Sequence, residues 1–150
     1  MATLRITRTP AGVEEDITLT LGYAKDETPP LDTIEPLAKA LATEHGLTTM
    51  LTSLRTARRD LTIPPHFETP PIPVSFTLGS DAVRAIGLDQ ARRPALDLTP
   101  TQLGHATEPA LHYPLGNGTD PHAWNALQRL TKHLNDGREQ NADPNQLRSP

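Results

Sequence analysis

An α+β fold follows from the order of patterns along the sequence. Apolar residues alternate near the N-terminus and again around 72–78, which predicts antiparallel strands. Leucines spaced three and four apart over 31–61 and 121–136 predict helices. The expected architecture is an antiparallel sheet of three to four strands, made from an N-terminal hairpin and a strand near 72–78. A long or broken helix over 33–60 and a C-terminal helix over 121–136 lie on one face of that sheet. Residues 1–136 read as a single α+β domain and 137–150 as a flexible C-terminal tail.

In chain order, Leu4 and Ile6 alternate with Thr3, Arg5 and Thr7, and Ile17, Leu19, Leu21 and Tyr23 alternate with Thr18, Thr20 and Gly22. Pro10, Ala11 and Gly12 supply the turn between them, so the two runs form a hairpin with one apolar face. Glu14, Glu15 and Asp16 then fall at its tip or early in the second strand, as a solvated loop. Asp32 or Thr33 serves as N-cap for the central helix, Glu35 completes a capping box, and Pro36 is tolerated in a first turn. Ile34, Leu37, Ala38 and Leu41 form one helical stripe, and Leu47, Met50, Leu51, Leu54 and Leu61 form another on a different side. The change of side falls at Gly46, where one helix ends or a continuous one turns its halves to different surfaces.

Pro64, Pro65, Pro70, Pro71 and Pro73 make a stiff connection, after which Ile72, Val74, Phe76 and Leu78 resume alternation as a strand at a sheet edge, where Pro73 can lack its donor. Pro70 and Pro73 also have the P-x-x-P spacing of polyproline II ligands, for which a surface connector is the simpler reading. Ser80 reads as an N-cap for a helix through Ile86 that stops at Gly87. Leu96 and Leu98 suggest a short strand, and Thr99, Pro100 and Gln102 a brief helical turn. From His105 to Gly118 only turns are signalled. Asp120 and Pro121 start the last helix, whose apolar stripe is Trp124, Leu127, Leu130 and Leu134, with Gly137 as its end. The face of the sheet carrying Arg5, Thr7, Thr18, Thr20, Ser75 and Thr77 is expected to meet water.

At 150 residues the chain is long enough for one core, and with only 3% aromatic residues that core is aliphatic. Sixteen prolines and nine glycines imply much irregular chain. A net charge of −4 gives no long-range pull toward phosphate backbones or anionic membranes. Without cysteine there are neither disulfides nor thiolate metal sites. No apolar run approaches the length of a membrane span, so a cytoplasmic protein is expected. The preference for arginine over lysine, with only Lys25, Lys39 and Lys132, suggests a GC-rich bacterial genome.

The six histidines, His45, His66, His105, His112, His122 and His133, show no H-E-x-x-H spacing. His105, Glu108 and His112 would share a helical face as a two-His-one-carboxylate site requires, but Gly104, Pro109 and Pro114 break that segment. None of Ser53, Ser75, Ser80 and Ser149 sits in a nucleophile elbow. Gly116, Asn117 and Gly118 resemble a phosphate-cradling turn only in glycine content, since no lysine follows and Asp120 brings negative charge. Arg55, Arg58 and Arg59 are the one basic cluster, which Arg92 and Arg93 could extend.

The expected function is that of a small non-enzymatic accessory or adaptor protein. It would act by self-association or on a larger protein partner, because two leucine stripes present more apolar surface than a small sheet buries. Its contact residues would be Leu47, Met50, Leu54, Arg55, Arg58 and Arg59. The alternatives are a nucleic-acid-binding regulator using Arg55, Arg58 and Arg59, and a metal-dependent enzyme around His105, His112 and His122. Acidic charge and scarce aromatics count against nucleic acid. Neither a catalytic residue nor a cofactor is expected.

Overall fold

The computed structural model describes residues 1–10, 12–24, 26–56, 70–94 and 98–142. The described residues divide into two compact units, one within Met1–Pro29 and the other made of Pro30–Thr56 and the described residues between 70 and 142.

The first unit is the expected hairpin, which forms a two-stranded sheet of its own rather than sharing a sheet with the strand near 72–78. Strands β1 (Ala2–Thr9) and β2 (Gly12–Leu19) pair antiparallel from Ala2 opposite Leu19 to Thr9 opposite Gly12. Gly12 adopts φ 140°, which its missing Cβ permits. The acidic trio lies within β2 rather than in a loop, and Asp16 stands opposite Arg5.

The second unit is a four-stranded antiparallel sheet in the order β3-β4-β6-β5, with helices on both faces. Its strands are β3 (Thr49–Leu54), β4 (Ile72–Leu78), β5 (Thr101–Leu103) and β6 (Ala110–Pro114). The α+β class and the antiparallel pairing are as the sequence predicts, but several elements differ in detail. A 3-10 turn at Leu31–Thr33 leads into α1 (Ile34–Glu44), and that helix ends there. Gly46 takes φ 60°, the left-handed conformation that closes helices, and beyond it the chain is extended. Met50, Leu51 and Leu54 of the second leucine stripe therefore lie in strand β3 rather than a helix, Leu47 precedes that strand, and Leu61 lies outside the described residues. No side chain caps α1, the Thr33 hydroxyl donating instead to the Pro30 carbonyl at 2.7 Å.

Strand β4 is central, not an edge. Pro73 fits because β6 pairs only with Ser75–Leu78, and on the other side Pro73 faces a register shift between Thr52 and Ser53. Strands β5 and β6 replace the helical turn and loop expected for 99–118.

Helices α2 (Ser80–Ile86), α3 (Leu88–Arg92) and α4 (Ala123–Ala142) cover the face that carries Phe76, Leu78, Leu111 and Tyr113. Leu130 and Leu134 of α4 and Val83 and Ile86 of α2 fill the space between them. The Tyr113 hydroxyl donates to the Ala91 carbonyl at 2.8 Å, so its one polar atom is satisfied inside the core. Burial pushes the Tyr113 phenol above its usual range. The Asp120 carboxylate accepts from the His122 amide at 2.9 Å, as a start signal should. That amide and the His122 ring hold its pKa below the ordinary value. Helix α4 runs through Gly137, which packs against Gln90 and Ile86, so residues 137–142 are helical rather than part of the expected tail.

The other face, expected to be wet on account of Ser75 and Thr77, is covered by α1. Ala38, packed among Leu103 and Ala110, lets the helix approach closely, with Ala42 and Met50 at the margin. Ser75 and Thr77 are buried as a result.

Candidate functional site

Two places in the described chain combine unusual exposure or unusual burial. The first is the hairpin face. Cross-strand pairs put Ala2, Leu4, Ile6 and Arg8 on the same side as Leu19, Ile17, Glu15 and Val13. Leu4, Ile6, Val13, Ile17 and Leu19 are each between 58% and 70% exposed. Their only charged companions on this face are Arg8 and Glu15, one cation and one anion on opposite strands.

The second is a cleft of about 410 Å³ within the other unit, between the start of α1 and the sheet. Its mouth carries Asp32 and Glu35, and its floor carries Ser75 and His112. Alternation along β4 and β6 puts Ser75, Thr77 and His112 on the α1 side while Phe76 and Tyr113 point into the other core. Thr77 Oγ1 and His112 Nδ1 share a buried hydrogen bond of 2.8 Å, which leaves Nε2 as the ring nitrogen not engaged by Thr77. Desolvation lowers the His112 pKa below 6.5, and the nearby Glu35 carboxylate opposes that shift in part. Burial thus favours the neutral form of the ring. Ser75 is 2% exposed, and its Oγ has no hydrogen-bond partner among the described residues.

His112 has a consequence for stability. Its folded pKa is depressed, so below pH 6.5 the unfolded chain binds more protons than the folded one, and stability falls as pH falls. Denaturant titrations between pH 7.5 and 5 should give a steeper loss for the native chain than for His112→Gln. Equal slopes would show that the ring is not held neutral.

The expected contact residues of 47–59 are distributed differently. Met50 packs at the edge of the α1 core. Leu47, Leu54 and Arg55 are half-buried, Leu54 lying directly against Gly118, and Leu51 is exposed. Arg58 and Arg59 lie outside the described residues. Arg92 donates to the Gln102 side chain. His112 is buried in β6, while His105 lies in an exposed turn and His122 is exposed beside Asp120. Among the described residues no three histidine or acidic side chains converge as a metal ion requires. The Gly116–Gly118 turn is closed by Asn117, whose Oδ1 accepts from the Thr119 amide at 3.1 Å. No described helix is long and apolar enough to cross a membrane.

Sequence reading identified the hairpin's apolar face but missed the cleft. The missed signal is a pair of polar residues, Ser75 and Thr77, in a strand whose other neighbours are all apolar.

A protein-family model described as DUF6177, C-terminal domain, matches residues 1–136. No curated protein and no solved structure matches the chain.

Proposed function

The chain belongs to the family DUF6177, C-terminal domain, and we propose that it works as a non-enzymatic accessory module whose hairpin packs face to face on the hairpin of a second copy. The observation that carries this is the uncovered apolar face of Leu4, Ile6, Val13, Ile17 and Leu19. An isolated two-stranded hairpin is marginal in water, and contiguous apolar patches of this kind mark interaction surfaces.

The charges on that face favour a second copy as the occupant. With a two-fold axis running along the strands, β1 of each copy lies over β2 of the other at the same level. Arg8 stands opposite Val13 and Glu15 opposite Ile6 within one hairpin. Arg8 of one copy therefore comes within two residues, roughly 7 Å along the strand, of Glu15 of the other. Both side chains are long enough to meet, and the symmetry makes the pair twice. A face about 25 Å long and 10 Å wide buries less than a permanent dimer needs, so the association is weak and concentration-dependent.

Light scattering coupled to size-exclusion chromatography across a wide concentration range should show a monomer giving way to a dimer. Ile17→Glu should abolish the dimer. Arg8→Glu and Glu15→Arg should each weaken it, and the double exchange should restore it, because both copies then carry the swapped pair. A monomer at every concentration, or a double exchange no better than either single variant, would defeat the self-association reading.

A further inference from the structure

The cleft at the start of α1 invites a ligand for reasons independent of the hairpin. Its floor holds Ser75, whose buried hydroxyl has no hydrogen-bond partner among the described residues. A buried hydroxyl left unpaired costs free energy that a bound group would recover. The geometry points to a small organic cation, an alkylammonium or alkylguanidinium, as that group, seated with its charged head between Glu35 and Ser75.

The chemistry of the walls selects this class. Asp32 and Glu35 place two carboxylates at the mouth, and among the described residues no lysine or arginine lines the cleft. The Ser75 hydroxyl offers a further acceptor, and burial, by disfavouring a charged His112 ring, keeps opposing charge low. The start of α1 contributes about half a positive charge from its dipole, which two carboxylates outweigh. An anion would meet those carboxylates directly. A divalent metal would need a third converging ligand, and none is present among the described residues. Leu31, Ile34 and Val74 add apolar wall, against which the alkyl stem of such a cation packs while its head keeps hydrogen bonds. At about 410 Å³ the cleft falls in the range of small-molecule sites.

The test follows the His112 ring resonances of the full chain by NMR as n-butylammonium or n-butylguanidinium is added, with n-butanol and butyrate as uncharged and anionic controls. Both cations should give saturable shifts with a Kd of about 1 mM, the value a ligand of this few atoms can reach. Butyrate and butanol should give none. Glu35→Gln, at an exposed position, should weaken binding about fivefold. Ser75→Ala should weaken it as well while leaving the melting temperature unchanged or higher, since it removes an unsatisfied hydroxyl. Comparing putrescine with N-acetyl-lysine methylamide distinguishes a free amine from a lysine side chain as the source of the cation, and tighter binding of either supports the site. Shifts with butyrate equal to those with the cations, absence of saturation with both cations, or native affinity in both variants would overturn the assignment.

Discussion

Gly79→Ala is expected to cost about 3 kcal/mol or more, lowering the melting temperature of the second unit by about 10 °C. Gly79 has φ −73° and ψ 168°, ordinary extended values, so backbone conformation is not the issue. Space is. A Cβ on Gly79 would stand 1.5 Å from the Leu47 carbonyl oxygen and 2.6 Å from its carbon. Both are main-chain atoms with no rotamer to escape into. The approach is also fixed from the other side, because the Gly79 amide donates to the Thr48 carbonyl at 2.9 Å. Accommodating the methyl group would pull β3 away from the end of β4 just where the register from Thr49 opposite Leu78 begins. Gly46→Ala is the matched control, since Gly46 has φ 60° but nothing within 4 Å of its Cβ position. That change should cost only the left-handed penalty, about 1–2 kcal/mol. Thermal melts of the two variants side by side give the comparison. A Gly79→Ala protein that melts with Gly46→Ala would mean that the close packing of β3 on the β4–α2 corner is wrong.

The same corner shows why part of the fold was legible in the sequence and part was not. Val74, Phe76 and Leu78 alternate strictly, and Trp124, Leu127, Leu130 and Leu134 hold helical spacing, so β4 and α4 declared themselves by period alone. Leu47, Met50, Leu51 and Leu54 imitate helical spacing equally well, yet form a strand with the turn that precedes it. The contrary signal was local: Thr48, Thr49, Thr52 and Ser53 between the leucines favour extended chain, and Gly46 ends the preceding helix. Strands β5 and β6 have three and five residues, too few to establish a period, and β6 contains His112 where an apolar residue would mark a core.

The cleft was hidden for a related reason. Ser75 and Thr77 look like a solvent face in one dimension and become buried only when α1, from an earlier part of the chain, packs on that face of the sheet through Ala38. The hairpin face was legible because it requires no partner element to define it. Its apolar and charged residues follow from register alone.

Leu130→Ala should destabilise the second unit by about 3–5 kcal/mol, at the upper end for leucine truncation. Leu130 is 0% exposed and belongs to the cluster in which α4, α2 and the sheet meet. Its neighbours are held by interactions that resist collapse into the vacated space. Tyr113 is tied to the Ala91 carbonyl, and Phe76 is tilted 33° against Tyr113 at 6.4 Å between ring centroids. Helix α4 is further anchored by the Trp124 indole donating to the Pro71 carbonyl at 2.7 Å and by the His133 ring on the Gln90 carbonyl at 2.8 Å. With anchors on either side of Leu130, the helix cannot settle inward by the volume of three carbons, so the cavity term adds to the transfer term. Leu51→Ala, at a site 48% exposed, should cost well under half as much. Denaturant unfolding with equal slopes for the two variants isolates the difference as one of stability. A Leu130→Ala protein as stable as Leu51→Ala would show that α4 is not seated on the sheet.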